Sequence, residues 1–472
     1  MPAIVRHPMG RDMAKTLLED VKVSAAESST NEYYIGIGKS DVFNTSDSVI
    51  DPVDSPRDER EFRLNLQSIK KVEDAIFVAK RVNWSSGTIY CGWDDATDPE
   101  HTPAWYVLND AKEVYVCLEP GRSLDGTSKP SMVDPNWGLY APMSPQTDPN
   151  NPEYDPNHRM FNVREWWKEF KTSDDYVWKF LYSITPENIY QFLSSNHIPV
   201  QEPEDSLPLG DNIEDLQWMV KDTAVGGQII DVHVVDGGSG YTSDPTVEVV
   251  GNGANATVQV HLVDGVIKRA TVTSYGAGYQ YASLHIQGGG GLGAVLRPVI
   301  TGPNGIGYDA IDDLKTSSVL MNIKPDGDVN GTFTVQNTFR QMGIIKNPKE
   351  VDGTTPYAGV SVMTLPSLTL TGTSPFDVGE KIRGLTSEAV AYVDKSDGNI
   401  VHYHQNESTG FKVFQNETVE QVGISGVESE VQLNSKKNGI DRFTGEVLYI
   451  ENRYRIRRDE EQQEDIKIVI TV

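Results

Sequence analysis

Two histidines spaced two apart, His402 and His404 in "IVHYHQN", could begin a metal site. On a strand, side chains at i and i+2 share a face, so the pair could supply two ligands to zinc or iron. No Cys or His nearby offers a third ligand. The spacing equally suits stacked surface histidines or a polar interface. A second metal candidate is Asp326-Gly327-Asp328-Val329-Asn330-Gly331, which opens like a calcium loop, with its glycine in the sixth place. The twelfth place should hold a bidentate Glu and holds Asn337, after the strand-like "TFTVQ". A polar hairpin turn fits better than a calcium site.

Gly36-Ile37-Gly38-Lys39-Ser40 resembles the end of a phosphate-binding loop. That loop needs a first glycine five places before the last, so that backbone N–H groups can wrap the phosphates. Tyr33 stands there, and "DVFNTSDS" follows with no helix signal. Nucleotide binding is therefore not expected, and Lys39 reads as a dispensable basic turn residue. The "WDDATDPEH" stretch offers Asp94, Asp95, Asp98 and Glu100 as carboxylates of the kind a glycoside hydrolase pairs. Acids are common in this chain, and the stretch has turn composition. No nucleophile elbow, no His-Glu-x-x-His and no reactive cysteine setting occurs. The expected site residues are therefore none: no catalytic, no cofactor-binding and no metal-binding residue.

The elements that carry these residues read as strands. The 472 residues suggest two to four domains. Glycine is abundant at 41, with 26 prolines, 20 tyrosines, 13 phenylalanines and 8 tryptophans, which suits a turn-rich β protein. With 41 Lys and Arg against 68 Asp and Glu, the net charge is −27. Such a surface repels nucleic-acid phosphates and anionic lipid. The best basic cluster, Arg453 to Arg458, is followed at once by Asp459, Glu460 and Glu461. Cys91 and Cys117 are the only cysteines, too few for a disulfide framework, and Cys117 in "EVYVCLE" reads as a buried thiol. A mean hydropathy of −0.41, no signal-peptide pattern and no membrane-length apolar run point to a soluble chain kept in a reducing compartment.

Along the chain, residues 12–22 predict a short amphipathic helix, and "EYYIGIG" a strand. "LNLQSIKKVEDAIFVAK" is mixed, helical at first and strand-like in "AIFVAKRV". "GTIYCGW" predicts a strand, and "AWYVLND–EVYVCLE" a hairpin across Asn109-Asp110. Residues 120–160 are proline-rich and polar, a long arm of the kind that often meets a partner. In "DDYVWKFLYSI", Trp178, Phe180 and Tyr182 alternate as one aromatic face of a strand.

Residues 226–300 repeat internally. Gly227 and Gly240-Tyr241 recur as Gly265 and Gly278-Tyr279, and each copy reads as three strands cut by glycine turns. One copy has too little core alone, so the two should pack together. The glycines are followed by strands, not by the helix a dinucleotide fold needs. A second module, about 365–430, alternates steadily and pairs Phe376 with Phe414 and Ile382 with Val419 in a degenerate repeat, as a small barrel or sandwich would. The expected fold is mainly β: a multi-domain sandwich- or barrel-like scaffold with a few short helices and two inserted small β domains. The scaffold takes 1–220, 301–350 and 440–472.

Several stretches, in order, resemble one family. They are "YYIGIGKSDVF", "VAKRVNW", "DDYVWKFLYSI", "NTFRQMGIIKNPKE" and "GEVLYIENRYRI" with the terminal "EDIKIVITV". The most specific are Phe339-Arg340-Gln341 leading to Ile345 and Asn347-Pro348, and Gly445-Glu446 leading to Tyr449 and Glu451-Asn452-Arg453. Together they resemble the baseplate wedge protein, gene product 8, of T4-type contractile-tailed phages. The resemblance covers 1–220 loosely and 317–350 and 440–472 more closely, but not the two modules. It implies a homodimer in the outer part of each baseplate wedge, bound to other wedge proteins, with no enzymatic activity and no cofactor. It also implies a virion tail location after assembly in the host cytoplasm, without nucleic acid or membrane partners. Two other expectations compete: a tail-borne receptor- or glycan-binding module using exposed Tyr241, Tyr279 and Tyr281, and an envelope hydrolase using Asp94, Asp95 or Asp98.

Overall fold

In the computed structural model, the described residues are 6–25, 31–44, 46, 48–96, 104–141, 143–145, 162–202, 213–325, 332–435, 439–459 and 461–472. The chain is mainly β, with 44% strand against 11% helix, and one small closed barrel. Two compact units form, and each is discontinuous in sequence. One comprises Met1–Ala14, Ile76–Ser318 and Thr471–Val472; the other comprises Lys15–Ala75 and Val319–Ile470. The first helix is longer than its apolar pattern predicts, running His7–Ala25.

In the first unit, a four-stranded sheet runs in the order Tyr106–Leu108, Glu113–Glu119, Val177–Ser183, Phe170–Lys171. The hairpin across Asn109-Asp110 forms, with Lys112 in the left-handed region at φ 66°. Val177 to Tyr182 are buried without a break, so this strand has two covered faces rather than one aromatic face. Trp178 and Phe180 join Tyr90, Tyr115, Cys117, Phe170 and Tyr176 in an aromatic core. "GTIYCGW" is not a strand. Its backbone is satisfied by scattered partners instead: Gly87 N–H donates to Ser131 O, Cys91 N–H to Ala104 O and Trp93 N–H to Cys117 O. Thr88 makes only a single bridge, to Ser131.

Residues 229–300 of the same unit fold as three two-stranded sheets, nested one inside another. The first strand, Ile229–Ser239, pairs with the last, Leu292–Ile300. Thr246–Gly251 pairs with Ala282–Gln287, and Ala254–Val263 with Val266–Ala277. Every sheet therefore takes one strand from each copy of the repeat, and the two copies share one core.

In the second unit, five antiparallel strands lie in the order Ser361–Met363, Leu66–Lys71, Tyr33–Gly38, Thr338–Lys346, Glu446–Arg457. The mixed stretch before residue 80 resolves into helix Pro56–Asn65 and strands Leu66–Lys71 and Asp74–Lys80. Ser55 caps the helix by accepting from Asp58 N–H at 3.2 Å, and Pro56 opens it. Phe62 on this helix is wholly buried, worth about 1.5–3 kcal/mol of apolar burial. Two glycines give it room. Gly36 and Gly343 face each other across the sheet, and a Cβ on Gly343 would lie 2.6 Å from the Phe62 ring. The same unit contains the closed six-stranded barrel, ordered Ser367–Leu370, Ile400–His404, Val390–Asp397, Lys381–Gly384, Thr418–Gln421, Glu428–Ser435. Phe376, Ile382, Phe414 and Val419 all meet in its core.

Candidate functional site

The turn after Tyr33–Gly38 meets the barrel wall and gathers several polar and charged side chains. Val401 and Tyr403 enter the barrel core, so His402 and His404 project from the other face of their strand. That common face does not make them joint ligands. His404 is buried, and its Nδ1 lies 2.7 Å from Asp394 Oδ2. Its ring stacks on Tyr392 at 5.5 Å. Ser40 Oγ donates to Asp394 Oδ1 at 2.7 Å, and Asn337 Nδ2 donates to the same oxygen at 3.1 Å. Asp41 Oδ1 stands 3.7 Å from His404 Nε2. Arg340 donates to the Ser40 carbonyl.

Serine, histidine and aspartate in contact invite comparison with a nucleophilic triad, and the geometry fails it. A triad places aspartate on one imidazole nitrogen and serine on the other. Here the serine hydroxyl donates its hydrogen bond to the aspartate, and Nε2 faces a second carboxylate. Burial lowers the affinity of His404 for a proton, but Asp394 and Asp41 outweigh it, and its pKa is raised. His402 shifts the other way, lowered by burial and by Lys395. The arrangement is a charged polar clasp between the turn and the barrel.

Lys39, read as a dispensable turn residue, is in fact buried. Its Nζ contacts Glu61 at 3.0 Å and covers the Phe43 ring, and its backbone is left-handed at φ 63°. The glycines before it serve packing: a Cβ on Gly38 would lie 2.3 Å from Asn65 O. Asp326 and Asp328 lie outside the described residues, as do Asp98 and Glu100. Asn337, the twelfth place of the calcium reading, is buried against Asp394. Among the described residues, no group of three or more His, Cys, Asp or Glu side chains is placed so as to hold a metal ion.

In the first unit, Asp94 and Asp95 are held by the repeat module. Arg297 donates to both carboxylates, and His233 Nε2 lies 2.9 Å from Asp94 Oδ2. His233 and Arg297 are register partners on the first and last module strands. Burial pushes Asp94 up, but the His233 and Arg297 hydrogen bonds hold it well below the usual carboxylate range; burial and the charge of Asp94 raise Asp95. The pair acts as an anchor: Asp94 is held by His233 and Arg297, and Asp95 is tied to Arg297 while remaining exposed.

A second anchor is more deeply buried. Arg122 forms a two-bond fork on Asp231 at 2.7 and 2.6 Å. Arg269 donates to Glu119 Oε1 at 3.1 Å and to the Arg122 carbonyl at 2.8 Å. Burial and the charge of Asp231 raise the Glu119 pKa. Sequence reasoning missed these residues, because the charges lie far apart in the chain. Tyr241 and Tyr279, expected on the surface, are buried at 6% and 4% exposure, and Tyr281 alone is exposed, at 66%. The two buried rings are swapped between the copies: a Cβ on Gly291 would lie 2.5 Å from the Tyr241 ring, and one on Gly253 would lie 2.4 Å from Tyr279. Tyr241 N–H donates to Gly265 O and Tyr279 N–H to Gly227 O. Two stacking rings for a sugar are thereby removed.

The chain matches no known family model, and no curated protein matches it.

Proposed function

We propose that this chain is a structural assembly protein, a homodimeric component of a contractile-tail baseplate wedge that binds other wedge proteins. The observation that carries this reading is the edge strand Glu446–Arg457. It spans twelve residues and pairs only with Thr338–Lys346 among the described residues. Leu448, Tyr454 and Arg455 stand exposed along it, and a long uncovered strand edge is a template for strand addition.

The resemblance supports the same reading. Its two most specific stretches are neighbours in one sheet, with Gln341 opposite Asn452 and their side chains bonded at 2.8 Å. The opening "YYIGIG" lies on the other side of Thr338–Lys346. The clusters around His404, Asp94 and Arg122 each tie distant parts of the chain together. Within this reading the protein is assembled in the host cytoplasm, resides in the virion tail, and needs no cofactor.

Light scattering on the purified chain, together with imaging of whole particles, tests the proposal. A dimer that dissociates on Leu448→Glu with Tyr454→Glu, and density for the chain in the baseplate, are the expected results. A monomer at all concentrations, absent from the particle, would overturn it.

A further inference from the structure

A cavity of about 380 Å³ opens in the second unit, beside the barrel, lined among others by Arg60, Tyr403, Phe411, Val413, Arg442 and Phe443. Phe411 and Phe443 are half exposed at its walls, at 51% and 55%. This volume lies within the range of ligand-sized pockets, and its mostly apolar lining with a few polar groups is their usual composition.

The two arginines distinguish it. Among the described residues, no ion pair is formed by Arg60 or by Arg442, whose side-chain bond goes to a backbone carbonyl, in a chain whose net charge is −27. Arg60 is exposed and Arg442 partly buried. Arg442 spends one donor, Nη1, on the Leu64 carbonyl at 2.8 Å. A guanidinium carries five N–H donors, so most of its fork is left for another acceptor. Burial lowers Arg442 to about 10, outweighing the charges of Tyr403, Asp394 and Asp441, which raise it. It remains a cation at neutral pH.

The walls are also fixed in place. Arg63 donates to the carbonyls of Arg442, Thr444 and Gly445 at 2.8, 2.7 and 2.8 Å, clamping the turn that carries Arg442 and Phe443. Gln405 bonds the carbonyls of Val390 and Lys412, both at 2.9 Å, and so pins the loop that carries Phe411 and Val413. A pocket whose shape is held without its ligand loses little freedom on binding.

We propose that this cavity binds a carboxylate attached to an aromatic or branched apolar body, with Arg442 and Arg60 holding the anion and Phe411, Phe443 and Val413 enclosing the body. Planar guanidinium matches planar carboxylate in a two-bond fork. The mostly apolar walls disfavour a phosphate, which would want more donors. Either a free small acid or an acidic residue beside an apolar one in a partner's peptide carries this chemistry.

Ligand-observed NMR and calorimetry on the full chain at low salt test the proposal. The probes are 3-phenylpropionate, its uncharged analogue 3-phenylpropanamide, and acetyl-Phe-Glu-Phe-amide. The acid should bind at least about tenfold more tightly than the amide, the discrimination expected from a charged hydrogen-bond partner. Arg442→Gln should remove that preference, and Arg60→Gln should weaken it. If Arg442→Gln fails to fold, Arg60→Gln and the pocket-filling Val413→Trp carry the test, each with an unchanged melting temperature and weakened binding. Tighter binding of the peptide assigns the pocket to a protein partner, and tighter binding of phenylpropionate to a small molecule. Equal binding of acid and amide, or binding unaffected by all three variants, overturns the proposal.

Discussion

Asp231 and Arg269 stand 38 residues apart at equivalent places in the two copies of the repeat, and they carry opposite charges. Each finds its opposite on one short segment: Arg122 for Asp231 and Glu119 for Arg269. Two similar copies could seat themselves either way round. Inverted charges make one way attractive and the other repulsive, which is specificity by exclusion of the alternative.

Removing one member of such a pair should cost more than removing both. Asp231→Ala leaves Arg122 largely buried without its partner and should lower stability by about 3–5 kcal/mol. The double change Arg122→Met with Asp231→Leu should recover most of that loss. Chemical denaturation of the full chain, with proteolysis to locate the loosened region, would check both. Equal losses in single and double variants would contradict the pairing argument.

The clasp at His404 predicts a pH signature. Because its pKa is raised in the fold, its contribution is complete below the unfolded value of about 6.5 and is lost as pH rises through the folded one. The gap in melting temperature between wild type and His404→Gln should therefore be wider at about pH 5.5 than at about pH 8.5. Asp394, Asp41 and Ser40 face the ring, with Lys39 acting in the opposite sense, so Asp394→Asn should flatten the dependence. His402 has the opposite shift and stays constant in the comparison.

The two facing glycines under Phe62 should differ in tolerance. A Cβ on Gly36 meets the flexible end of Leu66 at 2.6 Å, whereas one on Gly343 meets both Phe62 and the Tyr449 carbonyl at 2.6 Å. Gly343→Ala should cost about 1–3 kcal/mol, as overpacking does, and Gly36→Ala less. A thermal melt of each variant decides, and equal costs would refute the close-approach argument.

Lys39 offers a test of backbone against side chain. Lys39→Ala loses the buried contact with Glu61 and keeps a left-handed backbone at φ 63°, which disfavours a Cβ by about 1–2 kcal/mol. Lys39→Gly loses the same contact without that strain, so it should melt above Lys39→Ala. The reverse order would show that the positive φ is not limiting.

Much of the fold was legible in residue pattern. The Tyr33–Gly38 strand, the hairpin across Asn109-Asp110, the shared core of the repeat and the small barrel each follow from alternation and turn residues. Alternation gave no warning that Val177 to Tyr182 would be covered on both faces, because burial of a second face depends on what packs there. "GTIYCGW" has strand composition but no partner strand, and tertiary hydrogen bonds override propensity. Of the candidate sites less could be read. Arg122 meets Asp231 across 109 residues and Arg269 meets Glu119 across 150, distances no local pattern encodes. Tyr241 and Tyr279 could have been placed inside: Gly253 and Gly291 recur at the same spacing as the tyrosines, and a bare backbone at matched places is what a buried ring needs.

The nested pairing of residues 229–300 has a mechanical side. Ile229 lies opposite Ile300, and just outside them Gln228 and Thr301 bond in both directions at 2.9 Å, so the chain enters and leaves through one narrow neck. Tension drawn along the flanking chain would load that neck first and bypass the folded body beyond it. Such a side-loop can keep its structure while the chain that carries it is pulled.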